Sequence, residues 1–145
     1  MPRVLLTGMS GAGKSTLLAE LERRGHLTVD TDYGDWELPG SVWDERRMSA
    51  LLAENVDVVV SGTVENQRQF YDRFEHVVLL SAPVDVLIRR ITARTNNPYG
   101  HTGDQQTEVR RYVRDVEPLL RRGATTELDG RLPVAALADA VEELE

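Results

Sequence analysis

The stretch of the sequence that most restricts the fold is VLLTGMSGAGKSTLL, residues 4–18. In it, a short apolar run precedes three glycines, and a lysine, two hydroxyl side chains and a pair of leucines follow. An apolar run of this length is typical of a buried β-strand, and leucines at helical spacing indicate an α-helix. The sequence therefore predicts a strand, a glycine-rich turn and a helix in immediate succession.

The turn matches the phosphate-loop pattern G-x-x-x-x-G-K-S/T in full. Its glycines let the backbone turn sharply, and no Cβ atom then separates the backbone N–H groups from a phosphate. Lys14 supplies a positive charge for the β- and γ-phosphates, and the Ser15 hydroxyl can ligate Mg²⁺. The loop therefore predicts binding of ATP with Mg²⁺. The residues expected at the nucleotide are Gly8, Ser10, Gly11, Ala12, Gly13, Lys14, Ser15 and Thr16.

Apolar runs in the rest of the chain predict an α/β fold in one domain, residues 1–145. The five predicted strands are 3–7, 26–29, 56–62, 76–82 and 125–129. The predicted helices are 14–24, 42–55, 66–74, 83–94, 105–122 and 133–144, and the segment 34–40 is rich in turn residues. Nearly continuous apolar strands that alternate with helices are typical of a parallel sheet with helices on both faces.

Charge and composition narrow the possible partners. The net charge is −7, and a broad nucleic-acid or anionic-membrane surface would need an excess of positive charge, so neither partner is expected. The chain has no cysteine, which excludes disulfides, thiolate metal sites and a cysteine nucleophile. No segment resembles a membrane span or a signal peptide. We therefore expect a cytoplasmic protein, and its size suits a monomer.

Two aspartates, Asp30 and Asp32, follow the second predicted strand. Ligands in parallel α/β sheets bind beyond the carboxyl ends of the strands, so both side chains are expected beside the phosphate loop. One carboxylate could hold a Mg²⁺-bound water, and the other could accept a proton from a hydroxyl nucleophile. Turn capping is the alternative interpretation, because aspartate favours turns.

Arginines are concentrated around the polar segment 95–104, which contains one proline and two glycines. They occupy positions 89, 90, 94, 110, 111, 114, 121 and 122. A guanidinium group offers paired donors to phosphoryl oxygens, so the pattern predicts a mobile phosphate clamp with Arg94 as its main residue. The arginines at 121 and 122 are expected on a solvated helix face.

Two further groups of residues each have two interpretations. The polar residues at 63 and 65–67 follow the third strand, and they could bind a hydroxylated substrate or cap the next helix. The aromatic residues Tyr33, Trp36 and Trp43 could form a wall for a sugar or base, or pack in the core.

Five segments of the chain carry a family resemblance; in chain order they are GMSGAGKST, VDTD, VWDERRMSALL, RTNNPYG and VEPLLRRGATTELDG. Together they resemble the nucleoside monophosphate kinase-like superfamily of phosphate-loop proteins. Within it, the chain is most similar to small-molecule kinases of the shikimate kinase and gluconate kinase type. The resemblance spans nearly the whole chain, although only the phosphate loop is highly specific. It implies a five-stranded parallel sheet of order 2-3-1-4-5, a short substrate-binding insert at about 33–55 and a lid at about 95–104.

The resemblance also implies roles for individual residues. Asp30 would hold Mg²⁺ through water, Asp32 would be the base at the substrate hydroxyl, and Arg94 with Arg90 would clamp the phosphates. Lys14, Asp32 and Arg94 are thus the expected catalytic residues. The residues implied beside adenine are Arg131 and Pro133, and those implied at the phosphoryl acceptor are Asp32, Arg46, Gly62 and Thr63.

The sequence departs from shikimate kinases at two places. Ser61-Gly62-Thr63 replaces a run of three glycines, and Val116 replaces an arginine that grips the substrate carboxylate. We therefore expect an ATP-dependent kinase that transfers the γ-phosphate to a hydroxyl of a small polar metabolite, with shikimate itself not the expected acceptor. A nucleoside monophosphate kinase is the first alternative, and an ATP-binding switch protein that is non-catalytic or hydrolyses ATP slowly is the second.

Overall fold

A computed structural model describes residues 2–94 and 99–144. The strands are β1 (Arg3–Thr7), β2 (Thr28–Asp30), β3 (Glu37–Leu38), β4 (Val42–Trp43), β5 (Val58–Ser61), β6 (His76–Ser81) and β7 (Thr126–Asp129). The α-helices are α1 (Lys14–Arg23), α2 (Glu45–Glu54), α3 (Val84–Ala93), α4 (Gly103–Asp115), α5 (Glu117–Gly123) and α6 (Val134–Glu142), and a 3₁₀-helix spans Gln67–Arg73. Within these residues, no helix combines the length and the apolar character that crossing a bilayer requires.

Five of the strands form one sheet in the order β2-β5-β1-β6-β7, and all its neighbouring strands are parallel. The hairpin strands β3 and β4 form a separate antiparallel pair, so the order counted along the main sheet is the expected 2-3-1-4-5. The register pairs Asp30 with Ser61 and Ser81 with Asp129. The predicted α/β fold is therefore confirmed, and the carboxyl ends of the strands meet at one edge.

Helices cover both faces of the sheet, and each face has its own apolar cluster. Leu6 of β1 packs in the cluster that contains Leu17 of α1. Leu5, the preceding residue, packs in the cluster that contains Leu52 of α2. Successive side chains of a strand point to opposite faces, so β1 is buried on both sides. Burial on both sides explains why its apolar run is continuous rather than alternating.

The segment before α2 corrects the predicted helix at 42–55. Val42–Trp43 is strand β4, and α2 begins only at Glu45. The Asp44 carboxylate accepts hydrogen bonds from the N–H groups at positions 46 and 47, which makes Asp44 the N-cap. The Trp43 ring is fully buried, and its Nε1 donates a 3.0 Å hydrogen bond to Thr31 Oγ1. A contact between distant residues therefore holds the hairpin, and helical periodicity does not reveal it.

The predicted helix at 105–122 is also corrected, because the structure divides it into α4 and α5 at Val116. Pro118 lies in the first turn of α5. Proline has no N–H to donate to the carbonyl four residues earlier, and its ring crowds that carbonyl. Proline is well tolerated in a first turn, where the N–H group would lack a partner anyway, so a new helix begins there.

Candidate active site

The phosphate loop, residues 8–15, connects β1 to α1 and leaves the first turn of the helix open. Gly13 is the N-cap residue with a φ of 106°, a left-handed conformation that residues with a side chain rarely adopt. Among the described residues, no side chain caps α1. The first N–H groups of a helix have no partners within it, and the helix dipole adds positive potential there. This helix end therefore suits an anion such as a phosphate.

Lys14 is folded over the phosphate loop. Its Nζ donates hydrogen bonds to Gly8 O at 2.6 Å and to Met9 O at 3.2 Å. Burial lowers the pKa of Lys14 to about 8, and the nearby carboxylates of Asp32 and Asp30 partly oppose that effect. The ammonium group therefore lies both on the loop and close to the two aspartates predicted at the site.

The two residues predicted to hold Mg²⁺ are brought together. Ser15 Oγ donates a 3.3 Å hydrogen bond to Asp30 Oδ2. Asp30 Oδ1 accepts a 3.1 Å hydrogen bond from the N–H group of Asp32, which orients the carboxylate. Oxygen ligands of this kind suit Mg²⁺, which usually keeps several waters and binds one or two carboxylates together with substrate phosphates. In the part of the chain that the structure describes, no group of three or more histidine, aspartate or glutamate side chains is arranged to hold a metal.

Asp32 interacts electrostatically with Glu37, a residue that the sequence analysis does not identify. Burial and the charge of Asp30 raise the pKa of Asp32, whereas Lys14 opposes the rise. The pKa of Glu37 in β3 is raised too, by burial and then by Asp32 and Asp30. Glu37 lies in the turn-rich segment 34–40, and only the folded hairpin brings it into the same field as the aspartates.

Arg94, whose role as the main residue of a phosphate clamp stays a prediction, lies at the phosphate loop. Its Nη2 donates hydrogen bonds to Ser10 Oγ at 3.4 Å and to Tyr99 O at 3.3 Å. Its Nε is buried and has no acceptor among the residues described. Arg94 is also near enough to Lys14 to lower the pKa of that lysine. The guanidinium thus keeps donor capacity that an anionic ligand can use.

Arg90, one turn earlier in α3, contacts backbone rather than side chains. Its Nη1 donates to Gly11 O and Ala12 O, both at 3.3 Å. Its Nη2 donates to Gly130 O at 2.8 Å. Arg90 therefore joins the phosphate loop to the loop after β7, and its contact with a nucleotide stays a prediction.

The residues after β5 pack against the phosphate loop and the hairpin. Thr63 Oγ1 donates a 2.7 Å hydrogen bond to Gly8 O. A Cβ atom at Gly62 would lie 2.2 Å from Thr31 Oγ1, so no larger residue fits there without movement. The predicted contacts of Gly62 and Thr63 with a phosphoryl acceptor stay predictions.

Arg46 and Arg47 are neighbours in α2 with different surroundings. Arg47 Nη1 donates to Gly34 O at 2.7 Å and to Asp35 O at 2.8 Å. The Arg47 guanidinium also lies 4.2 Å from the centre of the Trp36 ring, a cation–π contact. Arg47 therefore stabilises the hairpin, whereas the exposed Arg46 remains the residue predicted to meet the acceptor.

Of the two residues predicted to lie beside adenine, Arg131 lines a cavity at the carboxyl edge of the sheet and Pro133 is not part of its lining. Arg131 forms a 2.8 Å ion pair with Asp129, and Pro133 is the residue before α6. The cavity has a volume of about 580 Å³ and also includes Ser81 and Glu117. The adenine contacts of Arg131 and Pro133 stay predictions.

The predicted lid is described only in part, because positions 95–98 lie outside the described residues. Tyr99 OH donates a 2.6 Å hydrogen bond to Glu108 Oε1. The Gly100 N–H group donates to Gln105 Oε1 at 2.8 Å. The described half of the segment is therefore tied to the first turns of α4.

Residues 4–111, about three quarters of the chain, match the AAA domain family. The chain belongs to the AAA domain family. The chain is 29% identical over 116 residues to a nucleotide-binding protein of Deinococcus radiodurans. The match covers 70% of this chain and 38% of the relative, so the chain spans well under half the length of this curated relative.

Solved structures of kinases share the fold of this AAA domain over nearly its whole length. A shikimate kinase from Acinetobacter baumannii in complex with shikimate has a TM-score of 0.72 and 24% identity, and covers 99% of this chain and 92% of its own. A sugar kinase from Janibacter has a TM-score of 0.66 and 18% identity, with coverage of 99% and 94%. A deoxyadenosine kinase from M. mycoides with bound dATP has a TM-score of 0.65 and 15% identity, with coverage of 98% and 97%. The resemblance to small-molecule phosphate-loop kinases is thus confirmed for the fold.

Proposed function

We propose that this AAA domain is an ATP-dependent kinase that transfers the γ-phosphate to a hydroxyl group of a small polar metabolite. The observation that carries the proposal is the position of Asp32, whose N–H group donates to Asp30 Oδ1 while Asp30 Oδ2 accepts from Ser15 of the phosphate loop. A hydroxyl acceptor needs a proton acceptor beside the phosphates. A nucleotide switch or a kinase with a phosphate acceptor has no such need.

The phosphate loop would hold the triphosphate. The open first turn of α1 offers N–H groups and positive potential, and no side chain of a described residue caps it. The Lys14 ammonium would bind the β- and γ-phosphates, with Thr16 near the α- or β-phosphate. The residues of the site therefore fit a nucleotide, and Arg131 and Pro133 would lie beside its adenine.

Ser15 and Asp30 would hold Mg²⁺, since their oxygen atoms already lie 3.3 Å apart at the open end of α1. Mg²⁺ bound there would neutralise charge on the phosphate oxygens. Asp30 is oriented for this role by the N–H group of Asp32.

Asp32 would accept the proton of the acceptor hydroxyl. Partial desolvation and the charge of Asp30 raise the pKa of Asp32, a direction that favours proton acceptance by its carboxylate. Arg94 would bind the phosphoryl oxygens, because it lies at the loop with a buried Nε that no described residue satisfies. A guanidinium so placed stabilises charge that spreads over those oxygens in the transition state.

The acceptor would bind between the hairpin with α2, within residues 33–55, and the residues after β5. Arg46 and Gly62 are the candidates for this contact, because the Thr63 hydroxyl already donates to Gly8 O. The solved relatives are named as kinases of shikimate, a sugar and deoxyadenosine, all of which carry hydroxyl groups, and this supports a hydroxyl acceptor. Val116 stands where shikimate kinases have an arginine, so we do not propose shikimate.

The test is the Asp32→Asn variant, assayed for ADP release with a panel of hydroxylated metabolites and nucleoside monophosphates. We expect transfer to a hydroxyl to fall by about 100-fold or more, with ATP affinity retained, because the proton acceptor is lost. Asp85→Asn, which changes an exposed aspartate of α3, is the control and should keep normal turnover. Undiminished turnover in Asp32→Asn, or transfer only to nucleoside monophosphates, would contradict the proposal.

A further inference from the structure

Each of the two carbonyl groups that hold Lys14 has a second hydrogen-bond donor. Gly8 O accepts from Lys14 Nζ at 2.6 Å and also from Thr63 Oγ1 at 2.7 Å. Met9 O accepts from Lys14 Nζ at 3.2 Å and also from the N–H group of Ala12 at 3.1 Å. If Lys14 moves away, each carbonyl keeps one of these donors: Thr63 at Gly8 O and Ala12 at Met9 O.

The hydrogen atoms along the contact at Gly8 can be assigned by counting donors and acceptors. Gly8 O can only accept, so the single hydroxyl hydrogen of Thr63 points to it. Thr63 Oγ1 lies 3.0 Å from Thr7 Oγ1, so the hydroxyl of Thr7 must be the donor between them. Gln67 Nε2 donates in turn to Thr7 Oγ1 at 3.1 Å.

The orientation of Gln67 sets the direction of this chain of hydrogen bonds. The N–H group of Val64 donates to Gln67 Oε1 at 2.8 Å, which leaves the NH₂ group facing Thr7. That NH₂ group also donates to Tyr71 OH at 2.7 Å. Thr7 is 0% exposed and Gln67 is 2% exposed, so water does not compete for the hydrogen bond between them, whereas Thr63 is half-buried.

We infer that Thr63 is a positioning residue that frees Lys14 for the nucleotide, an inference that rests on the proposed function. To reach the phosphates, the ammonium group must leave Gly8 O and Met9 O. A buried acceptor left without a donor is costly, and the chain that ends at Thr63 prevents this at Gly8. The hydroxyl of Thr63 therefore acts on nucleotide affinity through Lys14, without touching the nucleotide.

The test compares the affinity for MgADP of the wild-type chain and of Thr63→Val, by titration calorimetry. Without ligand, Lys14 still satisfies Gly8 O in the variant, but in the complex that carbonyl has neither donor. We therefore expect the Kd to rise about tenfold. Thr63→Ser retains the hydroxyl and should restore the Kd to within about twofold of wild type. Thr63→Ala replaces Thr63→Val in the comparison if the valine variant does not fold.

Thr63 Oγ1 accepts from the N–H group of Gly8 at 3.2 Å and donates to Gly8 O, and Thr125 makes the same kind of bridge away from the loop, so Thr125→Val is the matched control. Thr125 Oγ1 accepts from the N–H group of Val77 at 2.9 Å and donates to Val77 O at 3.2 Å. This variant should lower the Tm as Thr63→Val does but leave the Kd for MgADP unchanged. An unchanged Kd in Thr63→Val, or no recovery in Thr63→Ser, would overturn the inference while leaving the kinase proposal intact. If the wild-type chain does not bind MgADP, the proposed function and the inference both fail.

Discussion

The phosphate side and the acceptor side of the candidate site are built in different ways. On the phosphate side, consecutive residues from Gly8 to Ser15 present backbone N–H groups at the open end of α1. On the acceptor side, the charge of Asp32 acts on Glu37 because Trp43 bonds to Thr31 and holds the hairpin over the end of β2. A site made of backbone tolerates little change in its glycines, whereas a site made of distant side chains depends on the packing behind them.

The largest expected effect on the phosphate side is that of Gly8→Ala. The new Cβ atom would lie 2.3 Å from Leu80 O, which is backbone of β6 and cannot move aside easily. We expect the free energy of unfolding to fall by about 3 kcal/mol and nucleotide binding to be lost. Urea unfolding and MgADP titration measure both quantities.

Gly103→Ala is the control for that change, because a Cβ atom there meets nothing within 4 Å. It lies in the first turn of α4 and should leave both quantities nearly unchanged. Normal MgADP binding by Gly8→Ala would show that the loop does not depend on this close approach.

The next effect is the pH dependence of nucleotide binding through Lys14, whose pKa is lowered to about 8 by burial. Phosphates favour the ammonium form, so above pH 8 binding must take up a proton. The affinity for MgADP should then fall by up to about tenfold per pH unit. Titration calorimetry at pH 9 in two buffers of different ionisation enthalpy should detect this proton uptake, which should be absent at pH 7. Equal proton uptake at both pH values would contradict the prediction that the Lys14 ammonium group binds the phosphates.

The smallest effect on nucleotide binding is expected from Trp43→Phe, on the acceptor side. This change removes the hydrogen bond to Thr31 and part of a ring that is fully buried. We expect the free energy of unfolding to fall by about 2 kcal/mol, because packing and a buried hydrogen bond are lost together. The Kd for MgADP should stay within about twofold of wild type, since no phosphate contact is touched. Trp36→Phe, at a partly exposed ring, is the control.

If Trp43→Phe raises the Kd for MgADP tenfold or more, nucleotide affinity depends on the packing of the acceptor side, and the two sides of the site are not independent. An unchanged free energy of unfolding would instead show that the hairpin does not need the bond between Trp43 and Thr31.

Sequence analysis predicted the parts of the fold that depend on local patterns. The strands β1, β5 and β6 were found because their apolar runs are continuous, and the order of the sheet was implied by the family resemblance. The single helix predicted at 105–122 was wrong because Pro118 starts a new helix, a signal that the apolar pattern outweighed. The helix predicted from Val42 was wrong because burial of Trp43 in β4 overrides helical spacing.

The sequence by itself determined the phosphate loop, since neighbouring residues create its geometry through the backbone. It also placed Asp30 and Asp32 near that loop, because the carboxyl ends of parallel strands share one edge, and it placed Arg94 there from its position beside the segment 95–104. Only the tertiary structure decided that Thr63 bonds to Gly8, that Arg90 joins two loops and that Glu37 enters the field of Asp32. Those contacts join side chains far apart in the chain, and their geometry exists only once the core has packed.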